Sequence, residues 1–476
     1  MRIALITEGC YPYVTGGVST WCDQLVRGLP EHDFEVVAII GTGAEAVTGE
    51  LPANLRRVRA VPIWAWQPAR RPGRAGRRLF AEALHALALA MLDPGAGLDP
   101  GAGQQPFLAA LRELFGYAQA ASLTAAFGCD EALCAVAEAW RRHGPSAEPL
   151  SLYEAMVATD LVEHSLRPLS AQVVAADVCH AVSNGLAVLP ALAARWTHGT
   201  PLVITEHGVY LRERYLAYRT VAYPWRVKAI MLSLFQRLTQ AGYAACTTIT
   251  SVNVYNQRWE TRLGADPDLI RTTYNGVGPD SYPPAATEPD VPTVGWVGRI
   301  DPLKDLETLV RGFALVHERL PAARLRLFGP TPRGNEWYAA LLRALVGELG
   351  LDEAVTFEGP VRPATRAYYA SSVVALTSIS EGLPYTVIEA MMCRRATVST
   401  EVGGVPEVVG EAGLLVPPQD PAAFAAACLR VLSDGALRHR LGREARQRAL
   451  AMFDLDRMLE TFRGVYASTA TPGRWA

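Results

Sequence analysis

Arg2-Ile3-Ala4-Leu5-Ile6-Thr7 opens the chain as a short apolar run. After a loop holding Gly16 and Gly17, helical spacing extends from Val18 to Leu29. Phe34-Glu35-Val36-Val37-Ala38-Ile39-Ile40 then forms a second apolar run. Runs this continuous do not suit a sheet with one wet face. Strand, helix and strand joined by short connections predict a parallel sheet covered on both faces. The rhythm resumes with strands at 177–183, 201–205, 246–250 and 270–274. Helices are predicted at 185–198, from the end of the second of these runs to about 241, and at 254–263.

A second set follows, with strands at 293–297, 324–328, 354–357, 373–377, 397–400 and 413–416. Helices at 306–320 and 336–349 fall between them, and helical sequence runs from 421 to about 470. Between the sets, residues 276–292 are rich in Pro, Gly and Asp and read as an interdomain linker. Residues 66–150 break the rhythm. They combine PARRPGRAGRR, Ala/Leu-rich helical sequence and DPGAGLDPGAGQQ, and read as a helical insertion with a flexible Gly/Pro connector. Arg70, Arg71, Arg74, Arg77 and Arg78 form the densest basic cluster. It is expected to be a solvated hinge, with docking on an anionic membrane or acidic partner as the lesser reading.

Composition bounds the function. The chain has 476 residues, of which 50% are apolar and 19% charged, enough for two to three domains with full cores. A net charge of -2 gives no broad basic field, so no nucleic acid is expected as partner. No run reaches 18 uncharged apolar residues, and the start lacks the pattern of a signal peptide. The eight cysteines (10, 22, 129, 134, 179, 246, 393, 428) show no C-x-x-C pair. They read as reduced core residues of a cytoplasmic protein, without structural zinc. Of the 45 Lys and Arg residues only Lys228 and Lys304 are lysine.

Five segments could carry chemistry. Gly16-Gly17 precedes the first helix, where backbone can approach an anion. Gly298-Arg299-Ile300-Asp301-Pro302-Leu303-Lys304 follows a strand and leads into a helix near Asp305. Arg299 and Lys304 there suit a diphosphate, against the plainer alternative of two solvated loop cations. Lys304, in a chain that otherwise favours arginine, strengthens the first reading. Glu381-Gly382-Leu383-Pro384, with Glu389 on the following helix, places carboxylates where they can accept sugar hydroxyls. The alternatives are an N-cap for Glu381 and a surface glutamate for Glu389. Gly403-Gly404-Val405-Pro406-Glu407 is another strand-to-helix turn. His207, in Thr205-Glu206-His207-Gly208, sits at a strand's carboxyl end, where ligands bind in doubly wound sheets.

In this order and spacing, the GG loop, the G-R-x4-K turn, the E-x7-E motif and the GGVPE turn resemble the family 4 retaining glycosyltransferases. TEHGVYLRER (205–214), FGPT (328–331) and LTSISEGLP (376–384) look more specifically like PelF-type enzymes of bacterial exopolysaccharide synthesis. The resemblance covers nearly the whole chain outside 66–150. It implies the GT-B architecture: two Rossmann-like doubly wound parallel-sheet domains across a cleft. The expected boundaries are 1–277 for the acceptor side and 278–453 for the nucleotide-sugar side. Residues 454–476 are expected to return to the N-terminal domain.

The same resemblance implies roles. Arg299 and Lys304 hold the nucleotide diphosphate, and Gly16-Gly17 approaches it. Glu381 contacts the donor sugar, with backbone from Gly382, Leu383 and Pro384. Glu389 binds the ribose, and His207 lies by the sugar on the acceptor side. Gly403 and Gly404 complete the substrate-binding set. The expected substrates are a nucleotide sugar, with UDP foremost, and a glycan acceptor; membrane-embedded synthesis proteins are expected partners. No cofactor or metal is expected, since no D-x-D match is placed to bind one; Asp454-Leu455-Asp456 lies in the C-terminal helical region. L-P-Y-T departs from the commoner F-G-L-V/P type and puts the sugar pocket in doubt. A sugar-nucleotide 2-epimerase of GT-B fold, or a non-catalytic scaffold that binds sugar nucleotides, are the competing readings.

Overall fold

The computed structural model describes residues 1–14, 16–66, 72–93 and 104–470. Thr15 of the glycine loop, Arg70 and Arg71 of the basic cluster, and most of the Gly/Pro connector lie outside the described residues.

Two compact units are present. The first comprises Met1–Val252, Asn256–Thr272 and Phe462–Ala476, the second Asn253–Tyr255 and Thr273–Thr461. The first holds seven strands: β1 (Arg2–Glu8), β2 (Asp33–Ile40), β3 (Leu55–Pro62), β4 (Val178–Ala181), β5 (Leu202–Glu206), β6 (Thr248–Ser251) and β7 (Ile270–Thr272). They pair in the order β3-β2-β1-β4-β5-β6-β7, all parallel. The central strands are buried end to end, Val178–Ala181 and Leu202–Glu206 entirely. That is why their sequences are apolar without alternation.

β3 is absent from the strands expected on sequence. Its residues LRRVRAVP carry three arginines and none is fully buried. An edge strand with solvent beside it needs no apolar run, and charges there discourage further pairing. Arg59 pairs with Glu35 of β2 instead.

Among the described residues, the excursion between β3 and β4 is built of helices, the first starting at Arg74 and the last ending at Ser170, beyond the expected limit of 150. Its last long helix, Leu152–Leu166, starts on a capping box of Ser151 and Glu154. The single helix expected before β6 is two, Tyr210–Thr220 and Trp225–Ala245. Pro224 caps the second and has no N–H to continue the first. The last described helix, Leu455–Thr469, brings Phe462 and Tyr466 into this unit. Phe462 stacks on His180 and meets Trp21 edge-on at 5.3 Å, and Tyr466 bonds His180 Nδ1 at 2.7 Å.

The second unit holds β8 (Thr293–Val297), β9 (Arg324–Phe328), β10 (Val355–Gly359), β11 (Val373–Leu376), β12 (Ala396–Thr400) and β13 (Leu414–Val416). Their order is β10-β9-β8-β11-β12-β13, again all parallel. Its own core centres on Trp296, Phe313, Leu325, Tyr338 and Phe424. Both sheets reverse strand order once, between β1 and β4 and between β8 and β11. Crevices for ligands form at the carboxyl ends of strands at such a switch.

The cysteines correct the sequence reading in part. Cys22, Cys179, Cys246, Cys393 and Cys428 are buried, but Cys134 is exposed and Cys10 and Cys129 are only partly covered.

Candidate active site

In the second unit, the loop after β8 carries Arg299 and ends in the one-turn helix Pro302–Lys304. Asp301 starts that turn by accepting the Leu303 N–H. Asp305 adopts a left-handed φ of 47° and caps the helix Leu306–Arg319 through the Thr308 N–H. The loop is stapled to the segment after β11. Ile379 N–H donates to the Leu303 carbonyl at 3.0 Å, and Thr377 Oγ1 donates to the Lys304 carbonyl at 2.9 Å.

This brings Lys304 to Glu381. The Lys304 ammonium lies 2.5 Å from Glu381 Oε1, and Ser378 Oγ donates to the same oxygen at 2.6 Å. Glu381 is therefore not the N-cap offered as its plain alternative; Pro384 occupies that position for the helix Tyr385–Met392. Arg299 is exposed and makes no hydrogen bond or ion pair among the described residues. The pair thus fixes one cation and leaves a second, exposed cation on the same loop.

The Gly403-Gly404 turn after β12 lies directly against this segment. Gly403 has φ +54°, and a Cβ there would sit 1.8 Å from the Glu381 carbonyl oxygen. Gly404 N–H donates to the Gly382 carbonyl at 3.0 Å. Asn253 Nδ2 donates to the same carbonyl at 2.9 Å, and Asn275 Nδ2 to that of Leu383 at 3.3 Å. Asn253 escapes the sequence reading, since it belongs to no motif singled out there.

Glu389 stands one turn into its helix, as expected, but it is not a free surface acid. The hydroxyls of Tyr368 and Tyr282 both donate to it, and burial pushes its carboxyl above the usual range. Glu407 is a further carboxylate in use. It accepts from the N–H groups of Val254 and Tyr255, both at 2.8 Å, where the helix Val254–Arg262 begins.

The first unit presents a different chemistry. Glu8 ends β1, and its carboxylate accepts from the Leu186 N–H and from Tyr210 Oη, each at 3.0 Å. Arg214 stands 3.8 Å away. Burial pushes the Glu8 carboxyl up; Arg214 and Tyr210 oppose that. These groups, with His207, Glu213, Ser183 and Cys10, line a cavity of about 130 Å³ at the carboxyl ends of β1, β4 and β5. His207 meets Trp21 edge-on at 4.7 Å. Burial lowers its pKa to about 3, so the imidazole is neutral. Its Nε2 is buried without a hydrogen-bond partner among the described residues.

The Cys10 thiol is hydrogen-bonded to Cys22 and is lowered by that contact. Gly16 precedes the helix Gly17–Gly28, and a Cβ on Gly16 would meet no heavy atom within 4 Å. Sequence reasoning found His207 and the glycines but missed Glu8, Tyr210, Glu213 and Arg214. The signal was an acid closing an apolar strand, and a Tyr-Arg pair four apart on one helix face.

Other clusters are committed elsewhere. Asp160, Glu163 and His164 come together as donors a metal could use. Glu163 is already held by Arg167 at 2.8 Å and Thr124 at 2.6 Å, and His164 Nδ1 by the Asp160 carbonyl at 2.7 Å. Asp454 Oδ1 accepts the Asp456 N–H at the foot of the last helix, so the D-x-D match is a cap. In the basic cluster, Arg77 pairs with Glu131 and Arg78 with Glu82. They line a larger cavity, about 780 Å³, among the inserted helices. No helix among the described residues is long and apolar enough to cross a membrane.

Two doubly wound parallel sheets, each with polar groups gathered at its switch point, define a GT-B fold. Solved structures agree: sucrose-phosphate synthase from Thermosynechococcus elongatus superposes with a TM-score of 0.65 at 20% identity, over 98% of both chains. HepE of Anabaena, in complex with UDP and glucose, gives 0.62 at 15% identity over 98% of this chain and 99% of that one. The chain belongs to the family of a domain of unknown function (DUF3492), which it matches over residues 1–268. Residues 291–434 match the model for glycosyl transferases group 1.

Among curated relatives, the D-inositol 3-phosphate glycosyltransferase of Acidothermus cellulolyticus is 31% identical over 303 residues. That is 59% of this chain and 64% of the relative. The enzyme of that name from Streptomyces bingchenggensis is 31% identical over 222 residues, 43% and 49% of the two chains. The chain thus spans between about half and two thirds of the length of these relatives.

Proposed function

We propose that this protein is a retaining glycosyltransferase, moving a hexose or N-acetylhexosamine from a UDP-sugar to a growing glycan. The observation that carries the reading is the fixed Lys304–Glu381 pair beside the exposed Arg299, at the switch point of a unit that matches glycosyl transferases group 1. When the bond from anomeric carbon to phosphate breaks, charge grows on the diphosphate. Lys304, held in place before reaction by Glu381, and the exposed Arg299 on the same loop are suited to stabilise it. Glu381, oriented by Lys304 and Ser378, keeps one carboxylate oxygen for a donor-sugar hydroxyl. Glu389, oriented by Tyr368 and Tyr282, serves the ribose. Gly382, Leu383, Pro384, Gly403 and Gly404 supply backbone around the sugar and phosphate. His207, neutral, stands on the acceptor side. In a retaining reaction the acceptor attacks on the face the leaving group departs from, and a phosphate oxygen takes its proton.

The role belongs to bacterial exopolysaccharide synthesis of the PelF type, at the cytoplasmic face of the membrane beside membrane-embedded synthesis proteins. That assignment rests on the sequence likeness at 205–214, 328–331 and 376–384. Incubation with a panel of radiolabelled UDP-sugars and glycan acceptors tests the reaction. The expected result is a labelled glycan with the anomeric configuration of the donor. An inverted product, or an epimerised nucleotide sugar without transfer, would overturn it.

A further inference from the structure

The segment from Ser378 to Pro384 has no regular secondary structure, yet three of its carbonyls are held from outside it. Thr400 Oγ1 donates to that of Ser378 at 2.7 Å. The Gly382 carbonyl takes two donors, the Gly404 N–H at 3.0 Å and Asn253 Nδ2 at 2.9 Å, which fills both of its lone pairs. Both reach it because residue 404 has no side chain. A Cβ there would lie 2.4 Å from the Gly382 oxygen and 2.8 Å from Asn253 Nδ2. The Leu383 carbonyl accepts from Asn275 Nδ2 at 3.3 Å. Pro384 has no N–H, so that peptide presents only its oxygen.

These bonds also aim the other side of the backbone. The cis peptide bonds among the described residues are Tyr11-Pro12 and Arg362-Pro363, so Gly382 and Leu383 are joined in trans. A trans peptide carries its C=O and N–H on opposite sides. Fixing the Gly382 carbonyl against Asn253 and Gly404 therefore turns the Leu383 N–H away from them. That N–H makes no hydrogen bond among the described residues, although Leu383 is only 6% exposed. Buried backbone N–H groups are rarely left unpaired, so its partner comes from outside the chain. Asn253 and Asn275 are themselves buried, and both belong to the second unit, which the chain enters at Asn253 and again at Thr273. Asn275 Oδ1 has no partner among the described residues, so this amide is spent on the Leu383 carbonyl.

We propose that Asn253 and Asn275 are positioning residues for the donor sugar. They fix the Gly382-Leu383 backbone and, through it, the adjoining Glu381 in the form that accepts a nucleotide sugar. The ligand in this proposal rests on the transferase reading above; the holding of the loop rests on the hydrogen bonds alone.

Titration calorimetry of the whole chain with UDP, UDP-glucose and UDP-N-acetylglucosamine tests this, alongside hydrogen–deuterium exchange across residues 379–386. Asn253→Ala is expected to weaken the better-bound UDP-sugar about fivefold more than it weakens UDP, the effect of one lost hydrogen bond. Exchange across 379–386 should quicken in the same variant, and its thermal melt reports whether it folds. Asn253→Asp keeps the shape without the donor and should behave alike. Asn275→Ala, which loses a longer bond, should show a smaller effect of the same kind. Equal weakening of UDP and UDP-sugar in a folded variant would mean that the asparagines only stabilise the fold, and would overturn the proposal. Unchanged binding or unchanged exchange would overturn it as well. If the native chain binds none of the three compounds while Asn253→Ala still quickens exchange, the transferase reading falls, the donor role falls with it, and the holding of the loop stands.

Discussion

The Lys304 ammonium and the Glu381 carboxylate, 77 residues apart in sequence, meet at 2.5 Å. The contact joins the loop after β8 to the loop after β11 across the switch point. It sets the position of the cation and of the carboxylate together, so neither can be removed without disturbing the other. Both side chains are largely covered, at 25% and 11% exposure, so the pair is screened less than a surface ion pair.

Lys304→Ala should therefore lower kcat/KM for the nucleotide sugar by about 10²-fold or more. It should also lower stability, because the partly buried Glu381 carboxylate loses its ion-pair partner. Adding Glu381→Gln should recover part of the melting temperature and none of the activity. A coupling of about 1–2 kcal/mol in the stability cycle is expected. Strictly additive melting shifts would show that the contact carries no energy.

Gly403→Ala removes no chemical group, yet it should be among the most damaging changes. The residue needs a positive φ, and the new Cβ would collide with the Glu381 carbonyl. Loss of about 1–3 kcal/mol is expected from the backbone alone. Displacement of Glu381 should abolish turnover. Urea unfolding and donor turnover of the purified variant check both parts; wild-type values for either would refute the packing argument.

Glu407→Ala should destabilise without touching chemistry directly. Its carboxylate satisfies two N–H groups at a helix start, a role comparable to an N-cap. A loss of about 1–2 kcal/mol is expected, with Glu407→Gln intermediate. Chemical denaturation of the two variants provides the comparison, and equal stability of both with the native chain would remove the role.

Acid should unfold the protein partly through its histidines. Burial lowers His180 and His207 to about 3, against an ordinary 6.5, so the native state binds these protons late. Between about 6.5 and about 3 the unfolded chain holds protons that the native chain does not. Stability therefore falls as pH is lowered through that window, by about 1.4 kcal/mol per pH unit for each histidine. Glu8 and Glu206 are shifted upward and act in the opposite sense. The difference between native and His207→Gln isolates one proton: the variant should lose that much slope. Identical slopes from urea melts at several pH values would contradict a neutral, buried His207.

Much of the fold was legible because parallel strands buried on both faces must be apolar along their whole length. Twelve strands were found from their runs, and the thirteenth, β3, was not, because its place at the edge lets Arg56 and Arg57 face solvent. The break at Pro224 was written in the sequence, but the apolar spacing on either side concealed it. The site was legible where a motif is local: Arg299 and Lys304 share one loop, and Glu381 and Glu389 one strand-helix junction.

The sequence by itself determined the alternation of strands and helices, the two sets, and the loops at which polar residues gather. Those follow from local spacing and turn chemistry. Only the tertiary structure decided which loops become neighbours, because strand order, not chain order, brings carboxyl ends together. It joined Lys304 to Glu381 and set Tyr210 on Glu8 from 202 residues away. It enclosed His207 so that its imidazole stays neutral. Such pairings and shifts depend on desolvation by distant segments, which no short stretch of sequence contains.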